Sequence, residues 1–278
     1  LLNIDGNTKS MLIQNSMFIA GIATLIQLYP VFKVGSGLPV VMGTSSGFIG
    51  TEKVIGATYG YAAIMGASLV GALLEIVLGF FIKPLRKLFP PIVTSLVVIS
   101  IGLSLLPVGI KYFAGGAGSP EFGAPKHLLV GTIVMLVIII IQNYTKGFMK
   151  TSAILIGIIV GYLVAIFMGM VDFTQVKEAA WFSLPRPFIM GFEFRLDAII
   201  SMAIMYIGDV SAIAVGGLGR EATDKELSGG VIADGVASFI AALFSVAPNT
   251  SFSQNVGLVA VTKVVNKFVI MTGAVFLI

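Results

Sequence analysis

The sequence predicts an all-α polytopic membrane protein, and two observations support this fold class. Of its 278 residues, 57% are hydrophobic and 11% are charged, whereas ordinary soluble domains carry about 25% charged residues. The mean hydropathy is +1.03, and the apolar residues form long runs rather than short alternating ones. A chain with so few charges cannot cover a soluble surface, so a helical integral membrane protein follows.

A series of apolar segments follows along the chain. They cover residues 10–29, 38–50, 57–82, 91–110, 128–142, 152–171, 196–217, 228–247, 251–263 and 266–278. Most of them are long enough to cross the roughly 30 Å hydrocarbon core of a bilayer as a helix. The segments 38–50 and 251–263 are too short to do so.

These two short segments resemble each other. Residues 40–50 and 247–255 both place small hydroxyl residues and an aromatic after a short extended run, with Gly or Pro nearby. Broken, polar backbone at membrane depth is tolerated only where it is buried in protein or lines a cavity. A pair of such segments in corresponding halves indicates the midplane binding site of a secondary transporter. The alternative is a re-entrant or interfacial loop without a ligand.

Basic residues predict the orientation of the chain. They cluster in three loops, which contain Lys83, Arg86 and Lys87, then Lys146 and Lys150, then Arg220 and Lys225. Even numbers of crossings separate these loops, so the positive-inside rule places all three in the cytoplasm. The charged run 219–226 is expected to be solvated loop. The net charge of +4 therefore concerns topology and does not indicate nucleic-acid binding.

Other functional classes find little support. The chain has no cysteine and a single histidine, His127, so we expect neither a metal site nor a cofactor. No nucleophile–base pair or phosphate-binding loop indicates an enzyme. The chain opens on Leu1 without a basic region before its first apolar run, which suggests that the true N-terminus is absent.

Three carboxylates fall inside apolar segments: Glu75, Asp209 and Asp234. An ionisable group at membrane depth is expensive and often serves proton or cation coupling. Asp209 and Asp234 flank the short segment at 249–263, so we favour a transport role for both. For Glu75 we favour a structural role. The structural alternative for all three is a carboxylate satisfied by nearby hydroxyls or backbone N–H groups.

The second short segment also carries amides. Gln254 offers a donor and an acceptor side by side, which matches the edge of a planar heterocycle. Phe48 and Phe252 could stack on such a ring, and a helix start after Ser253 would add free N–H groups. Asn255 could instead tie the two short segments together.

The run Gln254-Asn255-x-Gly257-x-x-x-x-Thr262-Lys263 resembles the signature of the nucleobase–ascorbate transporters, the second nucleobase:cation symporter family. Further similarity extends along the chain, at residues 42–48, 90–94, 101–107, 208–209 and 229–235. The resemblance implies a fold of two inverted repeats with a core and a gate domain. Short strands in the third and tenth family segments would meet at the substrate site.

The resemblance also implies a function and its residues. It implies uptake of a nucleobase with protons, or with Na+, by a bilayer-embedded homodimer in a bacterial plasma membrane. The substrate-site residues would be Phe48, Phe252, Ser253, Gln254 and Asn255. The transport residues would be Asp209 and Asp234. A Gln at position 254 favours xanthine or urate, whereas uracil carriers tend to have Glu there.

The domain division that we expect is 1–90 core, 91–195 gate and 196–278 core. Three departures from the family pattern suggest an incomplete chain. The first family helix would precede Leu1, the last gate helices would follow Ile278, and Met205 stands where the family usually has a substrate-binding Glu. Met has replaced that Glu, or about two helical turns are missing between Ile207 and Gly208, and we favour the missing turns. The alternatives are a uracil transporter, an anion exchanger, and a non-transporting fragment or scaffold.

Overall fold

A computed structural model of the chain describes residues 6–86, 99, 103, 106–116, 119–173, 184–213, 223–252 and 265–278. Nearly all of the regular structure is helical. The helices are α1 (Gly6–Leu28), α2 (Ile49–Tyr59), α3 (Tyr61–Phe80), α4 (Ile82–Arg86), α5 (Pro125–Tyr144), α6 (Gly147–Thr151), α7 (Ala153–Phe167), α8 (Leu196–Ile213), α9 (Asp224–Leu243) and α10 (Lys267–Leu277). Two strands, β1 (Met42–Thr44) and β2 (Asn249–Ser251), form a small sheet.

Four of the described helices are long and apolar enough to cross a membrane: α1, α3, α5 and α9. They coincide with four of the long apolar segments of the sequence. Buried apolar side chains are common in α3 and α9, whereas α5 has no buried residue. The polytopic, mostly helical architecture is thus the one that the composition predicts.

The described residues divide into two compact units. The first contains α1 to α4, α8, α9, α10 and both strands, and the second contains α5, α6 and α7. The boundaries that the sequence suggested between core and gate stay a prediction.

In the first unit α3 packs closely against α9. A side chain at Gly235 of α9 would lie 2.8 Å from the backbone N of Ile76 and 3.0 Å from the carbonyl O of Ala72, both on α3. Only glycine allows this approach, because any β-carbon would collide with the opposing backbone. Glu75 lies on the same stretch of α3 and is fully buried.

The helix α9 begins earlier than the sequence suggested. Thr223 and Glu226 form a reciprocal capping box, in which the Thr223 hydroxyl accepts from the Glu226 N–H at 3.3 Å and the Glu226 carboxylate accepts from the Thr223 N–H at 2.8 Å. This motif satisfies two backbone donors that a helix start leaves open. The prediction of a loop over 219–226 is therefore wrong for residues 224–226, which are the first turn of α9.

In the second unit α5 and α7 pack through small residues. Gly157 and Gly161 of α7 lie directly against Ile138 and Val134 of α5. Before α5, the Glu121 carboxylate forms an ion pair with Lys126 at 2.5 Å. The hydrogen bond from Lys126 holds the pKa of the Glu121 carboxyl below its usual value.

Candidate substrate site

The two short segments meet in the first unit as a two-stranded antiparallel sheet. Met42 pairs with Ser251, Gly43 with Thr250, and Thr44 with Asn249. The register extends outward through the Ser45 N–H, which donates to the Pro248 carbonyl at 2.9 Å. The expectation that the two short segments contain strands that meet is therefore confirmed. The strand β1 lies between α1 and α2, and β2 follows α9 along the chain.

A hydroxyl from a neighbouring helix satisfies the outer edge of each strand. Thr24 of α1 accepts from the Met42 N–H at 2.9 Å, and its hydroxyl donates to the Met42 carbonyl at 3.4 Å. Ser238 of α9 does the same for Asn249, at 3.1 Å from the N–H and 3.0 Å from the carbonyl. Unpaired backbone groups of buried strands are costly. Each strand thus has one helix hydroxyl that bonds both backbone groups of its first residue, as expected of two structurally related segments.

Asp234 lies beneath the end of β2. Its side chain is fully buried in α9, where Oδ2 accepts from the Ser251 N–H at 2.8 Å and Oδ1 accepts from the Ser251 hydroxyl at 2.9 Å. Bonds to a charged acceptor are about twice as strong as neutral ones. Asp234 therefore fixes the last residue of β2 by two short bonds.

Gln27 of α1 completes this polar arrangement. Its Nε2 donates to the Ser251 Oγ at 3.1 Å, while its Oε1 accepts from the Ser36 N–H at 3.0 Å. Ser251 is thus held from α1 and α9 at once. The sequence did not single out Thr24, Gln27 or Ser238. Their signal was present, because Thr24 and Gln27 interrupt an apolar helix and Ser238 follows Asp234 by one helical turn.

Phe48 lies deep in the apolar core rather than on an open surface. Its side chain is 1% exposed, and its ring centroid is 4.7 Å from that of Tyr206 of α8, at an angle of 58°. The Tyr206 hydroxyl donates to the Ser68 carbonyl at 3.4 Å. In this conformation Phe48 anchors the start of α2 against α8, and Tyr206 is the second aromatic of the pair.

Phe252 packs on the sheet itself. Its N–H donates to the Val41 carbonyl at 3.0 Å, and its ring lies directly over Gly43, where a β-carbon would collide with it. The ring remains half-buried. Gly43 is therefore required by the close approach of an aromatic ring to the strand.

Several predicted site residues lie outside the described residues. These are Ser253, Gln254 and Asn255, which directly follow Phe252 along the chain. The backbone of Asp209 belongs to α8, but its side chain is also outside the described part. The assignment of a substrate site to Phe48, Phe252 and the Ser253–Asn255 run therefore stays a prediction, as do the transport roles of Asp209 and Asp234.

A helix begins immediately after β1. The Ser45 side chain accepts from the Gly47 N–H at 3.3 Å and caps a short 3-10 turn, Ser46–Phe48, which continues directly into α2. We call the turn and α2 together the half-helix. Thr44, Ser46 and Gly47 are exposed at its start. Free N–H groups and the positive end of a helix dipole suit a carbonyl or an anionic ring.

The half-helix contains a carboxylate that the sequence boundaries left between segments. Glu52 lies in the first turn of α2, and its Oε1 is shielded from solvent with no hydrogen-bond partner in the described part of the chain. A helix start favours such a charge by about 0.3–1 kcal/mol. Glu52 is half-buried, and shielding of an unpaired carboxylate oxygen from water opposes this by disfavouring the charged form.

Comparison with known proteins agrees with this architecture. The sequence model of a family described as a permease family matches residues 2–278. The uric acid permease PucK of Bacillus subtilis is 37% identical, over 100% of this chain and 66% of its own length. A xanthine permease of the same organism is 37% identical, over 96% of this chain and 63% of its own length. The chain thus spans less than two thirds of the length of these relatives.

A solved structure shows the same fold. The transmembrane domain of a cyanobacterial bicarbonate transporter, BicA, superimposes with a TM-score of 0.58. The match covers 98% of this chain and 85% of that domain, at 14% sequence identity. At this identity the similarity concerns the fold alone.

Proposed function

This chain belongs to the nucleobase–ascorbate transporter family of permeases, and we propose that it carries the substrate site of a proton-coupled nucleobase transporter. The family consists of transporters, not enzymes, and the protein is a multi-pass membrane protein. The proposed location is a bacterial plasma membrane, and the proposed assembly is a homodimer.

One observation carries the proposal: β1 and β2 pair, which joins the two broken segments into one element. Phe48 follows one strand by four residues, and Gln254 follows the other by three. A half-helix starts after β1 with exposed polar groups at its first turn. Such an arrangement suits a planar, polar ring held beside the paired strands and this helix start at the bilayer midplane.

The proposed substrate is an oxidised purine, xanthine or urate. These rings carry several carbonyl and N–H groups along their edges, and the side-chain amide of Gln254 can accept from one and donate to the next. The half-buried ring of Phe252 offers a stacking face nearby. The names of the two Bacillus subtilis relatives, a uric acid permease and a xanthine permease, support the same substrate class.

The proposed coupling ion is the proton, with Na+ as the alternative. Asp234 is the proposed link between α9 and the substrate site, because its two bonds to Ser251 fix the strand that leads to Gln254. Asp209 is the second proposed transport residue. A movement of α9 would therefore be transmitted directly to β2.

Uptake of labelled xanthine tests the proposal. Cells that express the protein would be assayed with urate and uracil as competitors, with and without a protonophore, and membrane insertion would be measured in the same samples. We expect protonophore-sensitive uptake that urate inhibits more strongly than uracil does. Inserted protein without uptake would contradict the transport function, and stronger inhibition by uracil would contradict the purine assignment.

A further inference from the structure

Glu52 is an acidic residue in a largely apolar environment, and the contacts of the candidate site described above do not involve it. It lies on the face of α2 that also carries Phe48, one turn earlier, and Ile55, which is buried. Its neighbours on this face belong to the apolar cluster of the first unit. The shielded Oε1 has no hydrogen-bond partner in the described residues. An acid in such a place is costly to keep charged and is ordinarily retained for a reason.

The charged and titratable groups around Glu52 have other partners. Tyr61 of α3 interacts electrostatically with Glu52, but its hydroxyl donates to the Ser245 carbonyl at 3.0 Å. From α8, Asp197 accepts from the Tyr59 hydroxyl. In the described part of the chain, no hydroxyl therefore donates a hydrogen bond to the Glu52 Oε1.

Basic groups near α2 are likewise engaged elsewhere. Arg195 pairs with Glu193 at 2.7 Å and lies over the ring of Tyr59. Lys53 follows Glu52 along α2 but is exposed. Within the described part of the chain, Glu52 therefore has no cation to hold it in the charged form.

This position differs from that of Asp234. Both oxygens of Asp234 accept short hydrogen bonds from Ser251. Within the described residues the Glu52 Oε1 accepts no such bond, yet Glu52 is one helical turn from Phe48, which packs on Tyr206. Loss of a proton from Glu52 would place a charge beside this aromatic pair and favour opening of the apolar contact to water. Protonation would favour closure.

From this contrast, we propose that Glu52 is a proton-binding residue of the transport cycle, which couples its protonation to the packing of the half-helix through Phe48. The inference rests on the proposed function and names one residue on which the coupled proton resides. Asp234 keeps its role of holding β2. The transferred proton binds the Glu52 carboxylate from water and leaves it to water, with no other chemical change.

The variant E52Q tests this inference because glutamine keeps the shape of the neutral acid and cannot ionise. Exchange of labelled for unlabelled xanthine across the membrane needs no net proton movement, whereas accumulation does. One proton per substrate supports a gradient of roughly fifty-fold per 100 mV. We expect E52Q to retain exchange and to lose protonophore-sensitive accumulation. K53Q, which removes the adjacent exposed charge, should accumulate xanthine like the wild type, and E52D should retain part of the accumulation.

A second measurement does not depend on uptake. Infrared difference spectra between high and low pH should show a protonated-carboxyl band in the wild type that is absent from E52Q. Wild-type accumulation by E52Q would overturn the inference alone. Loss of exchange as well as accumulation in inserted E52Q would also overturn it, because the role would then be structural. A wild type without proton-driven uptake would overturn the proposed function and, with it, the transport role of Glu52.

Discussion

Ser251 is held from three directions at the end of β2. Its N–H and hydroxyl both donate to Asp234, and its hydroxyl oxygen accepts from Gln27. Across the sheet it pairs with Met42. A residue so constrained has little freedom, so the chain that leaves β2 starts from a defined point. Preorganisation of this kind lowers the cost of ordering a site when a ligand binds.

Replacement of Asp234 by asparagine should weaken the attachment of Ser251 to α9. The Asn amide nitrogen would face a donor of Ser251, so one of the two hydrogen bonds would be lost and a buried donor left unpaired. We expect D234N to unfold with a free energy lower by about 1–3 kcal/mol, measured by denaturation in detergent, and to transport poorly.

The variant S251A serves as the comparison, because it removes the hydroxyl, with its bonds to Asp234 and Gln27, and keeps the backbone N–H bond to Asp234. We expect S251A also to lower the free energy of unfolding by about 1–3 kcal/mol, because both side chains lose a partner. A D234N variant that unfolded like the wild type would contradict this role of Asp234.

At the scale of elements, the two strands are supported by the same device. A helix hydroxyl bonds the N–H and the carbonyl of the first residue of each strand. T24V keeps the shape of threonine and removes the hydroxyl, and S238A does the equivalent on α9. We expect each to lower the free energy of unfolding by about 1–3 kcal/mol, because buried backbone groups lose a partner.

An exposed hydroxyl provides the comparison for this pair. Thr58 donates to the Val54 carbonyl within its own helix, so T58V should change the unfolding free energy by less than about 0.5 kcal/mol. Equal effects of T58V and T24V would show that the strand edges do not depend on these hydroxyls.

The contact between Gly43 and Phe252 yields a second prediction at this scale. G43A would push a methyl group into the Phe252 ring, and overpacking of this kind costs about 1–3 kcal/mol. The double variant G43A/F252L should recover part of that loss, which a double-mutant cycle in unfolding free energy would reveal. Additive effects of the two changes would refute direct contact.

Several elements could be predicted from the sequence, and others could not. Long apolar runs anticipated α1, α3, α5 and α9, and the Gly- and hydroxyl-rich runs anticipated the two broken segments, because these signals are local. That these segments contain strands followed from the family resemblance. The burial of Phe48 against Tyr206 and the hold of Ser238 on Asn249 depend on tertiary contacts. The start of α9 at Asp224 was missed because the charged residues of the capping box resemble those of a solvated loop in the sequence.

At the scale of the whole molecule, topology can be tested within the second unit. Glu121 precedes α5 and Lys146 follows it, and α5 is long enough to span the membrane. The positive-inside rule places the Lys146 end in the cytoplasm. These 278 residues contain no cysteine, so a single cysteine introduced among them has no background from the rest of this sequence.

We expect an impermeant maleimide to label E121C in intact cells and to label K146C only after the cells are permeabilised. Expression levels would be matched by immunoblotting. The reverse labelling pattern would invert the proposed orientation, and labelling of both sites in intact cells would mean that α5 does not cross the bilayer.

The most direct test of the central claim, that purine binds where the two broken segments meet, is ligand protection of a cysteine in the half-helix. Ser46 is exposed at its first turn, and Ser10 is exposed near the start of α1. We predict that saturating xanthine slows alkylation of S46C, that urate does the same, and that S10C is unaffected. Unchanged alkylation of S46C, in a variant that still takes up xanthine, would contradict the account.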